Sequence, residues 1–261
     1  MTAKGVRPVQ PSAPEHDGAV TILRSVRLKD GAPTEGYPWD LPAVRFLERI
    51  VPHPKVTFVV GDNGTGKSTL IEAMAVAAGF NAEGGNRNYQ FSSRSTESDL
   101  HAFLEMAWGT RPQQGWFLRA ESFYNVATYV DDNVSSYFGG QSFHERSHGQ
   151  FFIDLALARF HPGGFYLLDE PEAALSFHGC LRMLRILHET VLGGGQFLIA
   201  IHSPVLLAYP EATIFQLSEA GVDERRYDDV DSVELWRDFL DSPARFLRHL
   251  LADEEPASEG P

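Results

Sequence analysis

Apolar positions along the chain fall into two rhythms. Short, nearly uninterrupted runs predict strands. Residues 56–60 read Val-Thr-Phe-Val-Val between Lys55 and Gly61, the β-branched content and length of a strand buried on both faces. Similar runs predict strands at 20–28, 115–120, 165–168, 197–201 and 213–217. Longer stretches with an apolar residue at every third or fourth position predict helices at 68–78, 98–108, 150–160 and 180–192. In the second of these, Leu100, Phe103, Leu104 and Ala107 would share one side. His161-Pro162-Gly163-Gly164 breaks the third. Two further helices close the chain, and Ser242-Pro243 supplies an N-cap and a first-position proline for the last. Its Phe246, Leu247, Leu250 and Leu251 form one apolar face, expected to pack onto the domain, with a groove for a partner as the alternative reading. Strands alternating with helices predict an α/β fold, a mostly parallel sheet flanked by helices.

The two ends lack this patterning. Residues 1–18, rich in Pro, Ser and Ala, and the acidic 253–261 read as disordered tails around one domain, 19–252. The Gly- and Asn-rich 82–94 reads as a loop. Of 261 residues 43% are hydrophobic and 22% charged, an ordinary globular mix that needs no covalent staples. The single cysteine, Cys180, excludes a disulfide framework and is expected to be a packed thiol. No apolar run approaches the roughly 18–20 residues of a membrane helix, and no leader-like segment is evident, so a cytoplasmic location is expected. Net charge is −13, from 22 Lys+Arg against 35 Asp+Glu, which gives a nucleic-acid partner no support. The histidines are scattered without ligand spacing, and no structural zinc is expected.

The chemistry begins directly after the strand at 56–60. Gly61-Asp62-Asn63-Gly64-Thr65-Gly66-Lys67-Ser68 matches G-x-x-x-x-G-K-[ST], between a buried strand and a helix. The glycines let the backbone curl around phosphate oxygens, and the following helix adds the positive end of its dipole. Lys67 supplies a point charge for the β- and γ-phosphates, Ser68 a hydroxyl ligand for Mg²⁺, and Thr69 a hydroxyl near the α-phosphate. This implies a nucleoside triphosphate without naming the job.

Three further features narrow it. Phe165-Tyr166-Leu167-Leu168-Asp169-Glu170 describes a buried strand delivering two carboxylates at its C-terminal edge, where open α/β sheets hold ligands. Asp169 is placed to hold Mg²⁺ and Glu170 to polarise an attacking water as general base. Ala200-Ile201-His202 puts a histidine at the same edge, one helix and one strand later, where it can touch a γ-phosphate. Ser147-His148-Gly149-Gln150 opens the helix ahead of the carboxylate strand. Ser147 as N-cap and the free N–H groups at Gly149 and Gln150 make an anion site. Glu172 reads as a solvated or capping carboxylate.

In this order the four features resemble the ABC-type P-loop ATPases. Gly61 to Ser68 is similar to the Walker A loop and 165–170 to Walker B. The stretch 147–150 resembles the signature motif, 173–176 the D-loop, and His202 the switch histidine. Ser-His-Gly-Gln and Asp-Glu-Pro-Glu-Ala-Ala-Leu-Ser look more like stand-alone bacterial ATPases grouped with RecF and SMC heads than like transporter cassettes. The resemblance implies a P-loop NTPase of ABC type with a small helical, signature-bearing subdomain at about 86–160. It implies ATP and Mg²⁺ as ligands and hydrolysis of ATP, with Glu170, His202 and Lys67 as catalytic residues. It also implies a homodimer closing head to tail on two ATP molecules, Ser147 serving the other copy's γ-phosphate. The departures are Arg146 and His148 in the signature and the lack of a clear Q-loop glutamine, whose region holds Glu121 as a metal-facing candidate. No aromatic stands out for stacking the base. The wider role stays open between a switch in DNA maintenance or phage defence and the ATP-binding subunit of a transporter with a separate membrane chain. The aromatics between 122 and 142 would line a coupling groove in the second case. Between Lys67 and Ser147 there is no room for a long coiled-coil arm.

Overall fold

The computed structural model describes residues 21–86, 98–120 and 148–251. Its centre is a six-stranded sheet. Strands β2 (Val56–Gly61), β4 (Gly115–Arg119), β5 (Phe165–Asp169), β6 (Gln196–Ala200), β7 (Thr213–Ser218) and β8 (Gly221–Arg225) lie in the order β4-β5-β6-β2-β7-β8. All neighbours pair in parallel except β8, which folds back antiparallel on β7. Parallel pairing aligns the C-terminal ends of β2, β5 and β6 at one edge. Gly61, Asp169 and Ala200, with the loops that follow them, are therefore brought together.

Strand pleating sends alternate side chains to opposite faces, and both faces are covered. On one, Phe58, Val60, Trp116, Tyr166, Leu168, Phe197 and Ile199 pack with α3 (His148–Arg159) and α4 (Phe177–Leu192). On the other, Val59, Phe117, Phe165, Leu167 and Leu198 pack with α2 (Lys67–Ala78). This is why these strands read as continuous apolar runs. Two short helices, α1 (Pro42–Arg45) and α5 (Pro204–Leu207), fill the loops near the sheet edge.

A second, two-stranded ribbon pairs β1 (Leu23–Leu28) antiparallel with β3 (Leu104–Trp108). Here the structure corrects the helix expected at 98–108. Only Asp99–Phe103 is helical, as a 3₁₀ turn, and the remainder is strand. Leu104-Glu105-Met106-Ala107-Trp108 alternates with period two as well as it repeats at four, and pairing with β1 decides between them. The buried Gln196 fixes the ribbon to the sheet. Its Oε1 accepts the Leu23 N–H at 2.7 Å, and its Nε2 donates to the carbonyls of Leu23 and His53 at 3.1 and 2.9 Å. Of the stretch 86–160 the described part holds β3, β4 and α3. The tails and most of the loop at 82–94 lie outside the described residues.

The chain closes with α6 (Asp231–Asp241) and α7 (Pro243–Leu250). Val230 and Val233 root α6 in the core. Contrary to expectation, the apolar face of α7 is not packed on the domain: Leu247, Leu250 and Leu251 are 41%, 77% and 70% exposed. Ser242 precedes α7, but its side chain makes no capping bond.

Candidate functional site

The loop from Gly61 to Ser68 is held open from beneath. Gly61 has φ 151°, and a Cβ there would stand 2.6 Å from the Leu217 carbonyl oxygen, so only glycine fits. Gly66, at φ 91°, is the left-handed residue from which α2 starts, with the side chains of Leu41 and Ala43 against it. Thr65 braces the turn: its hydroxyl donates to the Asp62 carbonyl at 2.8 Å, and its own carbonyl accepts from Ala43 N–H at 2.9 Å. Asp62, Asn63 and Gly64 are exposed at the rim. No side chain caps α2, so its first-turn N–H groups face the loop's hollow as open donors.

Lys67 is buried, and its ammonium donates to the carbonyls of Gly61 and Asp62 at 2.7 and 3.0 Å. Burial lowers its pKa, while Glu170, Asp169 and Asp62 favour its charge. The side chain thus rests folded over the loop, next to the phosphate position it would serve.

Asp169 ends β5 and is 3% exposed. Burial raises its pKa to about 6, against a hydrogen bond from Ser68 and the nearby Arg119. Its Oδ1 is buried and has no hydrogen-bond partner. A buried, unpartnered carboxylate oxygen beside a serine hydroxyl is a hard-oxygen donor set suited to Mg²⁺. Ser68 and Asp169 fit the ion. Glu121, the third ligand expected from sequence, lies outside the described residues.

Glu170 takes the left-handed conformation, φ 49° and ψ 49°, which costs a non-glycine residue about 1 kcal/mol or more. The turn leaves its half-exposed carboxylate at the sheet edge, where Oε1 lies 3.4 Å from His202 Nε2. Burial, and then Lys67, lower the His202 pKa from its ordinary value, against Glu170, and so favour the neutral imidazole. The two side chains that sequence placed at one edge do meet there.

Sequence reasoning missed three neighbours. Glu172 is half-buried rather than solvated, and its Oε1 accepts the backbone N–H groups of both His202 and Ser203, at 2.5 and 3.2 Å. The turn after β5 therefore holds the histidine loop after β6. Arg119, at the end of β4, donates to Glu72 of α2 at 2.6 Å and lies 3.3 Å from Asp169 Oδ2, supplying Asp169 with a counter-charge. Tyr37 is 69% exposed, with its hydroxyl 3.5 Å from Thr69 Oγ1 at the loop's mouth. Arg119 and Tyr37 come from distant stretches of chain that no local spacing could have flagged; Glu172 lies in the carboxylate motif itself, and only its bonds to the histidine loop were hidden.

Of the signature residues, Ser147 lies outside the described residues. Gly149 sits in the first turn of α3, where a Cβ would come 2.9 Å from the Ala174 carbonyl. Gln150 is exposed. Gly149 thus borders the turn 171–174 of its own chain. Cys180 is buried, as expected. A cavity of about 610 Å³, lined by Phe80, Gly115, Trp116, Arg159 and His161, opens at the opposite edge of the sheet, away from these groups.

Residues 56–107 match a family model described as "AAA domain, putative AbiEii toxin, Type IV TA system". No curated protein matches the chain. Among solved structures it is similar to the SMC head domain from Thermotoga maritima, at 16% identity and a TM-score of 0.46, covering 79% of this chain and 100% of that one. It is also similar to CbiO1 from Clostridium perfringens, part of the ABC transporter complex CbiONQ, at 14% identity and a TM-score of 0.47, covering 88% and 99%. A nucleotide-free ATP-binding cassette from an ABC transporter gives 15% identity and a TM-score of 0.45, over 84% and 96%. No helix among the described residues is long and apolar enough to cross a membrane. With β6 between the phosphate-loop strand and the carboxylate strand, and the loops after all three converging on one edge, the chain has the mostly parallel, phosphate-loop α/β fold that its sequence predicts.

Proposed function

We propose that the chain binds Mg-ATP and hydrolyses it, and that ATP closes two copies head to tail as a switch. The observation that supports this best is the meeting of four groups at one sheet edge. These are Lys67 folded over an open loop, the unpartnered Asp169 oxygen with the Ser68 hydroxyl beside it, and Glu170 within 3.4 Å of His202.

In this reading the loop and the first turn of α2 bind the phosphates, and Tyr37 offers an aromatic surface beside Thr69 for the base. Ser68 and Asp169 hold Mg²⁺, which neutralises phosphate charge when bound. Glu170 accepts a proton from the attacking water, and His202 holds the γ-phosphate side of the site. Gly149 and Gln150, with Ser147, serve the other copy's nucleotide. A role in DNA maintenance or phage defence draws on the likeness of 147–150 and 169–176 to RecF and SMC heads. The toxin–antitoxin wording of the matching family model is in keeping with it. The transporter reading would need the 122–142 groove, which lies outside the described residues.

Steady-state hydrolysis and nucleotide binding test the chemistry. Glu170→Gln is expected to bind Mg-ATP as the unaltered chain does and to turn over about 10²–10⁴-fold more slowly. Normal turnover by this variant would overturn the general-base role. Head-to-tail closure is read by cross-linking. Asn63→Cys and Gln150→Cys copies, mixed in a Glu170→Gln background, should cross-link only with Mg-ATP, because Cys180 is buried. Equal cross-linking without nucleotide, or none with it, would exclude the closure.

A further inference from the structure

The α6–α7 hairpin carries an apolar surface that the domain does not cover. Leu235, Trp236, Phe239 and Leu240 of α6 are 60%, 51%, 36% and 65% exposed, alongside Leu247, Leu250 and Leu251. They form one surface rather than scattered residues. On α6 the four stand at i, i+1, i+4 and i+5, one side of a helix. On α7, Phe246 and Leu250 stand four apart, as do Leu247 and Leu251. The two stripes join where the Phe239 and Phe246 rings meet edge to face, 5.7 Å between centroids. Singly exposed leucines need no explanation, but a continuous apolar surface of this kind marks an interaction site.

The charges beside it say what covers it. One flank of α6 is acidic, with Asp231, Glu234, Asp238 and Asp241 at helical spacing. The single basic residue of α6, Arg237, is spent within the chain on Asp228, at 2.8 Å. α7 carries the opposite sign, through Arg245 and Arg248. Among the described residues neither arginine forms an ion pair, and neither do Glu234, Asp238 or Asp241; Arg245 lies over the Phe246 ring, 5.5 Å from its centroid, at the margin of the apolar face. One hairpin thus offers an acidic edge and a basic edge around one apolar face. Such a surface is complementary to itself under a two-fold axis, the symmetry of most protein dimers.

We infer that α6 and α7 pair with the same hairpin of a second copy, without nucleotide, to make a four-helix contact. In this contact α6 of each copy lies along α7 of the other. The stripes bury one another, and the acidic flank of each α6 meets the partner copy's Arg245 and Arg248. Burial of leucine and tryptophan needs no ATP, so this contact is separate from the ATP-dependent closure proposed above. The charge pairing offsets locally the repulsion expected between two chains of net charge −13.

Light scattering on the full chain without nucleotide, over a wide concentration range, tests it. The expected mass is that of two 29.0 kDa chains. Leu240→Glu with Leu250→Glu should give a monomer whose circular dichroism and nucleotide binding are unchanged, since both side chains are exposed. Asp238→Arg alone and Arg248→Asp alone should each weaken the dimer about tenfold or more, and the two in one chain should restore it. A chain that stays monomeric without nucleotide overturns the inference, whatever it does with Mg-ATP. So does a dimer indifferent to the glutamate pair. Loss without restoration in the charge series overturns the pairing of α6 with the other copy's α7. Absence of ATP hydrolysis would sink the proposed function and leave this contact standing.

Discussion

At the scale of single residues the Asp169 carboxyl is where stability and ligand binding meet. Burial raises its pKa from 3.8 to about 6. For an acid the sign is clear: the folded chain takes up this proton more readily than the unfolded chain does. Stability contributed here is therefore greatest below about pH 4 and declines as pH rises through about 6, where the buried charge forms. Mg²⁺ relieves that charge but competes with the proton. The stabilisation that Mg²⁺ adds to ATP should accordingly shrink between about pH 7 and pH 5. Asp169→Asn should raise the melting temperature of the free chain at neutral pH and remove this pH dependence. Melting curves with ATP, with and without Mg²⁺, across that range are the check. Unchanged Mg²⁺ stabilisation at pH 5 would count against Asp169 as the ligand. Glu172 makes a second residue-scale case. Glu172→Ala leaves the N–H groups of His202 and Ser203 without their acceptor, at about 1–3 kcal/mol each if they stay buried. It should lower kcat about tenfold with little change in KM, whereas Glu172→Gln keeps an oxygen acceptor and should behave nearly as Glu does. Equal losses in both variants would point to the charge rather than to the bond.

At the scale of elements, legibility followed how local the deciding physics is. β2, β5 and β6 were plain in the sequence because both their faces are buried and each carries an almost unbroken apolar run. The phosphate loop was plain because its chemistry sits in consecutive residues. The stretch 104–108 was read as helix because its pattern suits either period, and the pairing that settles it is with β1, some eighty residues earlier. β8 was not anticipated at all: Gly221-Val222-Asp223-Glu224-Arg225 is a polar edge strand, held by its hairpin with β7 rather than by burial. The ribbon's attachment was equally silent, since Gln196 in the sequence is only a polar residue before an apolar run. Gln196→Leu is expected to destabilise the fold by about 2–4 kcal/mol. It strands the Leu23 N–H and the Leu23 and His53 carbonyls that the amide satisfies. Urea unfolding monitored by circular dichroism would measure this, and a loss under about 0.5 kcal/mol would show that water replaces the amide.

At the scale of the molecule the candidate site belongs to no one element. Loops after β2, β5 and β6 contribute to it, Arg119 ends β4, and Tyr37 and α1 lie beneath and beside the phosphate loop. Sequence placed the carboxylates and the histidine at one edge because parallel strands leave only one such edge. It could not place Arg119 or Tyr37, nor the bond from Glu172 to the histidine loop, which depend on how distant segments pack. A ligand held by so many separate segments should stabilise the whole chain and not merely one loop. At about 100 times its Kd, a ligand that binds only the folded state adds about 2.7 kcal/mol. For a chain of this length each kcal/mol moves the melting temperature by about 2–4 °C, so Mg-ATP should raise it by about 5–10 °C. Lys67→Ala removes the ammonium that faces the phosphate loop, while the Asp62 carbonyl it bonds keeps its bonds from Thr65. The variant should therefore keep its own melting temperature within a few degrees of the unaltered chain and lose nearly all of the rise with Mg-ATP. Scanning fluorimetry of both proteins measures this directly. A full rise in Lys67→Ala would mean that nucleotide binds elsewhere, and the cavity at the opposite sheet edge would be the first place to look.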